Sequence, residues 1–288
     1  MTKVAARTRV VPTIAELRSL LDDRRAAGAS VALVPTMGAL HAGHLTLVRR
    51  ARELADVVVV SVFVNPLQFG PSEDLDRYPR SLDADVAALA ELGADYVFAP
   101  SVDEMYPRGA SDTTLHAGRI GERYEGASRP GHFDGMLTVV AKLFGIAEPD
   151  VAVFGQKDAQ QVFLVTRMVD DLDMPLRIET VPTVREPDGL ALSSRNRYLT
   201  GPQRQAALTL AESLRAADAA AAQGAGELLA EAAAAFGDHD GVTLDYLVVV
   251  DPETFLPIDD EFRGRALVLV AAVVGTTRLI DNAFVTVG

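Results

Sequence analysis

The sequence predicts an α/β fold in which a doubly wound parallel sheet is followed by a second, smaller α+β domain. Short β-branched runs alternate with helical patterns through the first two-thirds of the chain, and two alanine-rich helices followed by three strands fill the rest. Strands separated by helices indicate βαβ units with right-handed crossovers, in which the helix returns the chain so that the strands run parallel. Such a Rossmann-like sheet binds ligands at the carboxyl ends of its strands.

The predicted sheet begins at Val31–Val34, where four apolar residues run together. The run at Val57–Val64 is almost entirely β-branched, as is typical of a strand covered on both faces. The Gly-, Pro- and Arg-rich segment Tyr106–Asp134 is a long loop of the kind that is usually functional or mobile. The remaining predicted elements are helices at His44–Ala55, Ser81–Leu92, Gly135–Ile146 and Ala159–Leu172 and strands at Tyr96–Phe98, Val151–Phe154 and Arg177–Val181.

The smaller α+β domain is predicted to begin after Thr183, so that residues 1–183 form the larger domain and 184–288 the smaller one. Leucine spacing within the alanine-rich stretch indicates packed helices rather than a low-complexity segment. The predicted elements of this domain are helices at Pro202–Gln223 and Gly226–Phe236 and strands at Leu244–Val250, Ala266–Val274 and Phe284–Val287.

Composition excludes several classes of function. The formal net charge is −13, whereas non-specific binding to nucleic acid or anionic membranes needs a basic surplus. The chain has no cysteine, hence no disulfide framework, thiolate metal site or cysteine nucleophile. The longest apolar run, Ala266–Val274, is about half the length that spans a bilayer, and the N-terminus lacks a secretory signal. We therefore expect a cytoplasmic protein that binds neither nucleic acid nor membranes.

The motif PTMGALHAGH, Pro35–His44, directly follows the first predicted strand. A helix N-terminus offers N–H groups and the positive end of a dipole to phosphate, and Gly43 allows close approach to the backbone. His41 and His44 can both donate to phosphate oxygens and stabilise charge on an α-phosphorus and its leaving pyrophosphate. Two other interpretations stay open: turn histidines without a ligand, and a zinc pair, which would lack a nearby cysteine or carboxylate.

A second polar block, FVNPLQF, lies at the end of the predicted strand Val57–Val64. Its neutral amides, Asn65 and Gln68, can bind a hydroxyl or a carboxylate without adding charge. The alternative is a simple Asn-Pro turn.

A third block, FGQKDAQQ, again joins a strand to a helix. Lys157 is the candidate cation for ATP phosphates, and Asp158 can cap the helix or bind a ribose hydroxyl. Gln161 lies one helical turn from Asp158 on the same face. The alternative is a solvated surface pair of Lys157 and Asp158.

The fourth block, VREPDGLALSSRNRYL, spans Val184–Leu199. Its Ser193, Ser194 and Arg195 offer two hydroxyls and a guanidinium group to phosphates, with helix capping by serine as the alternative. Elsewhere, Asp83 and Asp85 are interpreted as a solvated helix start, where acidic residues suit the helix dipole, with an outer contribution to Mg²⁺ binding as the alternative.

The histidine motif is the H-x-G-H signature of a nucleotidyltransferase superfamily whose members act on the α-phosphate of ATP or CTP. Together the four blocks resemble the pantothenate synthetase (pantoate–β-alanine ligase) family, with matching elements from Val31 to Asn282. Further matching motifs are EDLDRYPRS at Glu73–Ser81, RPGHFDG at Arg129–Gly135 and GTTRLIDN at Gly275–Asn282.

The resemblance implies an enzyme that makes pantothenate from ATP, (R)-pantoate and β-alanine. The pantoate carboxylate attacks the α-phosphate, giving pantoyl adenylate and pyrophosphate, and the β-alanine amine then attacks the acyl carbon and releases AMP. It further implies Mg²⁺ on the triphosphate, held largely by phosphate oxygens and water, and a homodimer. Residues 1–183 would bind nucleotide and pantoate, and residues 184–288 would form a lid.

Carried over to this sequence, the resemblance makes His41 the expected catalytic proton donor, with His44 and Lys157 completing the catalytic set. No residue of the chain is assigned as a metal ligand. The expected ATP site consists of Met37, Gly38, Ala39, Leu40, His41, Ala42, Gly43, His44, Gly155, Gln156, Lys157, Asp158, Val184, Leu192, Ser193, Ser194 and Arg195.

The same resemblance implies that Gln68 binds pantoate and contacts β-alanine, and that Gln161 binds pantoate. We add Asn65 as a support for substrate or intermediate. Three positions depart from the family pattern, with glutamine for glutamate, alanine for tyrosine and leucine for methionine: Gln156, Ala159 and Leu192.

Two other functions stay open at this point. A nucleotidyltransferase that passes AMP or CMP to a phosphorylated alcohol would share the two histidines, but it would need a second cationic pocket where Gln68 and Gln161 are neutral. A nucleotide-binding regulatory module would keep the fold without turnover. Aminoacyl-tRNA synthetase activity is disfavoured by the acidic charge of the chain.

Overall fold

Six parallel strands form the larger sheet of the chain, which a computed structural model describes over residues 8–70, 75, 81–237 and 240–288. The predicted α/β fold with a doubly wound parallel sheet is confirmed. In chain order the strands are β1 (Arg9–Val11), β2 (Val31–Thr36), β3 (Val57–Val62), β4 (Tyr96–Phe98), β5 (Val151–Gly155) and β6 (Arg177–Val181).

The order of these strands is β1-β4-β3-β2-β5-β6. Strand β2 pairs with β3 on one side and with β5 on the other, so the direction of winding reverses between β2 and β5. Ligands of doubly wound sheets bind at this switch point, outside the carboxyl ends of the strands. The histidine motif follows β2, and Gly155 is the last residue of β5.

The segments between the strands form helices whose apolar residues recur at helical spacing. Each helix therefore has an apolar face that can cover the sheet. Leu47, Val48 and Ala51 of one helix pack with Val58 and Val60 of β3 in one buried cluster. The helices up to β6 are α1 (Ile14–Ala26), α2 (Ala42–Leu54), α3 (Leu82–Glu91), α4 (Val102–Met105), α5 (Glu125–Ser128), α6 (His132–Ala147) and α7 (Ala159–Asp171).

Besides the short helices α4 and α5, two of these elements, β1 and α1, are not predicted from the sequence. Strand β1 has three residues, which is too short to show a period. Helix α1 does carry a recognisable start, because the hydroxyl of Thr13 accepts the N–H of Glu16 at 3.3 Å. The predicted loop Tyr106–Asp134 also contains helical turns, α5 and a 3₁₀-helix at Arg119–Glu122.

The C-terminal part is α+β, as predicted. Leu214 and Leu228 of its two helices pack against Val268 and Val270 of its antiparallel sheet, which is arranged in the order β7-β8-β9. The elements are α8 (Gly201–Ala220), α9 (Ala225–Phe236), β7 (Val242–Val250), β8 (Gly264–Val274) and β9 (Thr277–Val287).

Strand β9 begins at Thr277 rather than at the predicted Phe284. The difference arises because its first half carries polar residues, among which Asp281 and Asn282 are 4% and 3% exposed. Buried polar side chains need hydrogen-bond partners, which the salt bridge from Arg185 to Asp281 supplies in part. A prediction based on the apolar run alone therefore makes this strand too short.

The chain divides into two compact units. One comprises the residues up to Gly155 together with Leu164–Val181, and the other comprises Gln156–Phe163 and Pro182–Gly288. The functional division at 183/184 into a substrate-binding domain and a lid stays a prediction. The matching motif at residues 73–81 lies outside the described residues except for Leu75 and Ser81. Within the described ranges, no helix is long and apolar enough to cross a membrane.

At Gly135, α6 approaches the turn that carries Gln68 so closely that a side chain has no room. A Cβ at position 135 would lie 2.1 Å from the carbonyl oxygen of Leu67 and 2.7 Å from the amide nitrogen of Gln68. We expect Gly135→Ala to lower the free energy of unfolding by about 1–3 kcal/mol. Thermal unfolding measures this change.

Gly145→Ala in the same helix is the matched control, because a Cβ there meets nothing within 4 Å. An alanine inside a helix should raise stability by roughly 0.5–1 kcal/mol. Equal melting temperatures for the two variants would show that the close approach at Gly135 is unimportant.

Candidate active site

The two predicted histidines lie at the start of α2 and fix each other's orientation. His41 is the N-cap, and its Nδ1 accepts the N–H of Gly43 at 3.2 Å. The Nδ1 of His44 accepts the N–H of His41 at 3.4 Å, and the ring centroids are 4.1 Å apart. A neutral imidazole that accepts at Nδ1 carries its proton on Nε2. The arrangement therefore assigns an Nε2–H donor to each ring at a helix N-terminus.

The chain reaches this N-terminus through two residues with positive φ. Gly38 has φ of 83° and Ala39 has φ of 51°, a conformation that is strained for an alanine. Asp85 holds this turn: its Oδ2 accepts the N–H of Ala39 at 3.0 Å and its Oδ1 accepts the N–H of Leu40 at 2.8 Å. A buried carboxylate thus satisfies two backbone donors directly before the two histidines.

Asp85 is therefore not part of a solvated helix start, which corrects the interpretation from sequence. It is 3% exposed, and Ser81 Oγ also lies 3.4 Å from both carboxylate oxygens. Asp83, two residues earlier, is exposed as expected. Sequence alone does not separate the two aspartates, because the partner of Asp85 lies 45 residues away.

The predicted amides Asn65 and Gln68 lie together beside Met37. The Nδ2 of Asn65 donates to Gln68 Oε1 at 3.2 Å and to the carbonyl of Gly135 at 3.1 Å. Because Oε1 of Gln68 faces this donor, its Nε2 points toward Met37 Sδ, 3.2 Å away. The orientation of the Gln68 amide is thereby set by protein contacts, with its N–H groups directed at a residue of the histidine motif.

Every kind of hydrogen-bonding atom in the Asn65 side chain is used within the protein. Its Oδ1 accepts from the N–H of Leu67 at 3.3 Å and from the hydroxyl of Tyr106 at 2.8 Å, and it is 1% exposed. An asparagine amide has two donor and two acceptor positions. The geometry therefore supports Asn65 as the residue that orients Gln68; its direct contact with substrate stays a prediction.

Tyr106 and His132 complete this cluster, and sequence reasoning does not find them. Burial raises the pKa of the Tyr106 phenol from 10.0 to about 12, so the hydroxyl stays protonated and donates to Asn65. His132 Nδ1 lies 2.9 Å from the carbonyl of Gln68; since a carbonyl only accepts, this nitrogen carries the proton. The motif at Arg129–Gly135 was the available signal for His132.

The second unit contains the predicted lysine block. Lys157 lies in a 3₁₀ turn at Gln156–Asp158, with its Nζ 3.9 Å from Asp158 Oδ1. Its side chain is 19% exposed, in contrast to 53% for Asp158. Gln161 follows in the first turn of α7. The ion pair named as the alternative is present, but the lysine of that pair is largely buried.

The fourth block folds as a hairpin followed by a 3₁₀-helix. The N–H of Leu192 donates to the carbonyl of Val184 at 2.9 Å, which brings together two residues predicted for the ATP site. Ser193 Oγ accepts the N–H of Arg195 at 3.2 Å and caps the 3₁₀-helix Ser194–Tyr198. Both interpretations of this segment are compatible with the cap, since a hydroxyl that accepts can still donate to a ligand.

The predicted site residues thus fall into two groups. Lys157 and Ser193 line one small cavity of the second unit, together with Asn196 and Asp281. The described residues contain no grouping of three histidine, aspartate or glutamate side chains that could hold a metal ion. The first group consists of Met37–His44, Asn65, Gln68 and Gly155, and the second consists of Gln156–Asp158, Gln161, Val184 and Leu192–Arg195.

Comparison with known proteins identifies the family. A family model described as pantoate-beta-alanine ligase matches residues 9–284. The chain belongs to this family. A pantothenate synthetase of Leifsonia xyli is 62% identical over 283 residues, which cover 95% of this chain and 98% of that protein. One of Thermobifida fusca is 50% identical over 99% of this chain and 100% of that protein.

Solved structures agree with the assignment to the pantoate-beta-alanine ligase family. Pantothenate synthetase from Thermus thermophilus superposes with a TM-score of 0.89 at 49% identity, covering 96% of this chain and 98% of that one. A pantoate-beta-alanine ligase from Francisella tularensis, described as complexed with β,γ ATP and β-alanine, has a TM-score of 0.77 at 36% identity over 96% of this chain and 97% of that one. The predicted family and the prediction of a ligase are confirmed.

Asp85→Asn tests whether the buried carboxylate positions the histidine motif. A carboxamide oxygen can accept one of the two N–H groups, while its NH₂ would face the other, so we expect a loss of about 1–3 kcal/mol in stability. Turnover should fall at least about tenfold because the motif is misplaced. Asp83→Asn, on the same helix turn but exposed, should cost less than about 1 kcal/mol; equal turnover of both variants would contradict the role of Asp85.

The buried phenol of Tyr106 should make the protein lose stability at alkaline pH. Since its pKa is about 12 in the folded chain and 10.0 when unperturbed, the unfolded state releases the proton first. The free energy of unfolding therefore falls as the pH rises from 10 toward 12. Urea unfolding measures this change. Between about pH 9 and pH 11, the free energy of unfolding should fall by about 1 kcal/mol less in Tyr106→Phe than in the wild type. An identical decrease in both proteins would rule out the buried phenol as its source.

Proposed function

We propose that this chain catalyses the ATP-dependent condensation of (R)-pantoate with β-alanine to pantothenate, AMP and diphosphate through an enzyme-bound pantoyl adenylate. The observation that carries the proposal is the pair of imidazoles at the N-terminus of α2. Both rings accept a backbone N–H at Nδ1 and therefore carry their donor hydrogen on Nε2. Two donors beside a helix dipole suit the negative charge that develops during adenylate formation.

The first step forms a bond between a pantoate carboxylate oxygen and the α-phosphorus and breaks the bond from that phosphorus to diphosphate. His41 donates to the phosphate oxygens that gain charge. His44, whose ring centroid lies 4.1 Å from that of His41, donates to the phosphates beside it. In the second step the β-alanine amine bonds to the acyl carbon, loses a proton and displaces AMP. Adenylation is required because a free carboxylate is a poor acyl donor, whereas AMP leaves readily.

On the substrate side, Gln68 is the proposed ligand of pantoate and β-alanine. Its neutral amide has N–H groups near Met37 and is 8% exposed, so it can donate to a hydroxyl or carboxylate without a charge of its own. Asn65 supports this contact by fixing the amide orientation. Gln161 is proposed as the second ligand of pantoate.

On the nucleotide side, Lys157 is the proposed cation for the ATP phosphates, with Ser193, Ser194 and Arg195 as further donors. Lys157 and Ser193 both line one small cavity of the second unit. The remaining proposed contacts with ATP come from Met37–His44, Gly155, Gln156, Asp158, Val184 and Leu192. The Francisella protein, described as complexed with β,γ ATP and β-alanine, supports these ligand classes.

We also propose that Mg²⁺ accompanies the triphosphate, where it neutralises phosphate charge. Because the described residues offer no three-ligand cluster, phosphate oxygens and water would supply most of its coordination. A homodimer, a cytoplasmic location and a lid formed by residues 184–288 are further proposals that rest on family membership.

The test is AMP release from ATP in the presence of Mg²⁺ and pantoate, with and without β-alanine. We expect AMP only when both substrates are present, and a loss of roughly 10²–10³-fold in His41→Ala because a donor to the transition state is removed. His116→Ala is the control, since that side chain is 69% exposed, and it should retain full turnover.

The other outcomes identify the competing functions. Pyrophosphate exchange that depends on pantoate, without AMP release on adding β-alanine, would indicate an adenylyltransferase. Folded wild type that binds ATP without turnover would indicate a regulatory module. Full activity of His41→Ala would refute the assigned role of the imidazole pair, and full activity after Mg²⁺ is chelated would refute the proposed metal.

A further inference from the structure

Asn282 on β9 contacts the turn that carries Lys157, although the two lie 125 residues apart in sequence. Its Nδ2 donates to the carbonyl of Gln156 and to the carbonyl of Lys157, both at 2.9 Å. Its Oδ1 accepts from Gln156 Nε2 at 3.1 Å. One side chain that is 3% exposed thus uses both of its N–H groups on consecutive carbonyls of a single turn.

Asn282 is itself held by an ion pair between the buried Asp281 and the partly exposed Arg185. Arg185 binds the carboxylate of Asp281 through two nitrogens, at 2.5 Å and 2.9 Å, the bidentate geometry that is most directional for this pair. The same carboxylate accepts the N–H of Asn282 at 2.8 Å, and Arg185 also donates to the carbonyl of Asn282 at 3.3 Å. A continuous set of hydrogen bonds therefore joins the hairpin after Val184 to the Lys157 turn.

We propose that Asn282 is a positioning residue for Lys157. A lysine side chain has many rotamers, so the positions that its ammonium group can reach depend on where the main chain places the Cα atom. Asn282 fixes that main chain by two hydrogen bonds, and Arg185 and Asp281 fix Asn282. The inference rests on the proposed function in one respect, that Lys157 binds ATP phosphates.

The low lysine content makes Lys157 directly observable. The chain has three lysines, Lys3, Lys142 and Lys157, so reductive methylation with ¹³C-formaldehyde gives few NMR signals and leaves the amines cationic. Lys142→Arg and Lys157→Arg assign these signals. We expect Asn282→Ala to shift the Lys157 signal without ligand, and to weaken its response to ATP.

Kinetics of the unmethylated protein give the second readout. In Asn282→Ala the KM for ATP should rise roughly 10- to 100-fold, since misplacing a charged contact has effects of this size. The KM for pantoate should change less than the KM for ATP, because Asn282 holds the carbonyls of Gln156 and Lys157, whereas the proposed pantoate ligands lie elsewhere, Gln68 in the other unit and Gln161 in α7. A general loss of folded protein would instead lower kcat and leave both KM values unchanged.

Two further variants separate positioning from stability. Ser213→Ala removes a buried hydrogen bond to the carbonyl of Ala232 in the same unit without touching the Lys157 turn, and it should leave the Lys157 signal and the KM for ATP unchanged. Asn282→Asp preserves volume and the acceptor for Gln156 but loses the two donors, so it should reproduce the KM change even where the alanine variant folds poorly.

The proposal is overturned if folded Asn282→Ala and Asn282→Asp keep the wild-type Lys157 signal and KM for ATP, or if Ser213→Ala changes both equally. Failure of the proposed function has a different signature. If ATP leaves the wild-type Lys157 signal unmoved, the phosphate role of Lys157 is refuted, whereas a shift caused by Asn282→Ala without ATP still supports positioning.

Discussion

The turn between β2 and α2 depends on a carboxylate that belongs to another helix. Gly38 and Ala39 reverse the chain in left-handed conformations, and the N–H groups of Ala39 and Leu40 then point at Asp85. A buried N–H without a partner costs about 1–3 kcal/mol, so this turn is stable only with α3 in place. The positions of the two imidazoles, and of the backbone N–H groups that they accept at the start of α2, therefore depend on that contact.

Much of the fold can be predicted from local sequence, and the site only in part. Continuous β-branched runs such as Val57–Val62 predict buried parallel strands, and the histidine motif predicts a phosphate site, because each signal lies within a few residues. Asp85, Tyr106 and Asn282 act on partners that are 41 to 126 residues away. Periodicity does not report such partners, so the first half of β9 is missing from the predicted strand and Asp85 is predicted to be solvated.

The chain reconciles an acidic surface with anionic ligands by local means. Its formal net charge is −13, and a field of that sign repels phosphates at long range. In the proposed site, the groups that would bind the anions are individual donors: backbone N–H groups, two imidazoles, neutral amides, the partly buried Lys157 and Arg195. Interactions of this kind act over a few ångströms in a partly desolvated environment. In this proposal, binding depends more on the orientation of these donors than on the net charge of the chain, and buried groups such as Asp85 and Asn65 fix that orientation.

The membership of Gln156–Phe163 in the second unit has a consequence for biosynthesis. This segment is translated well before its partners, because Phe163 packs on Phe255 at 4.9 Å between ring centroids and the Lys157 turn binds Asn282 on β9. Domains that emerge first from the ribosome fold first. A nascent chain can therefore complete its larger sheet while the lysine turn still lacks β9, so that this turn acquires its buried partner Asn282 only after 125 further residues have been translated.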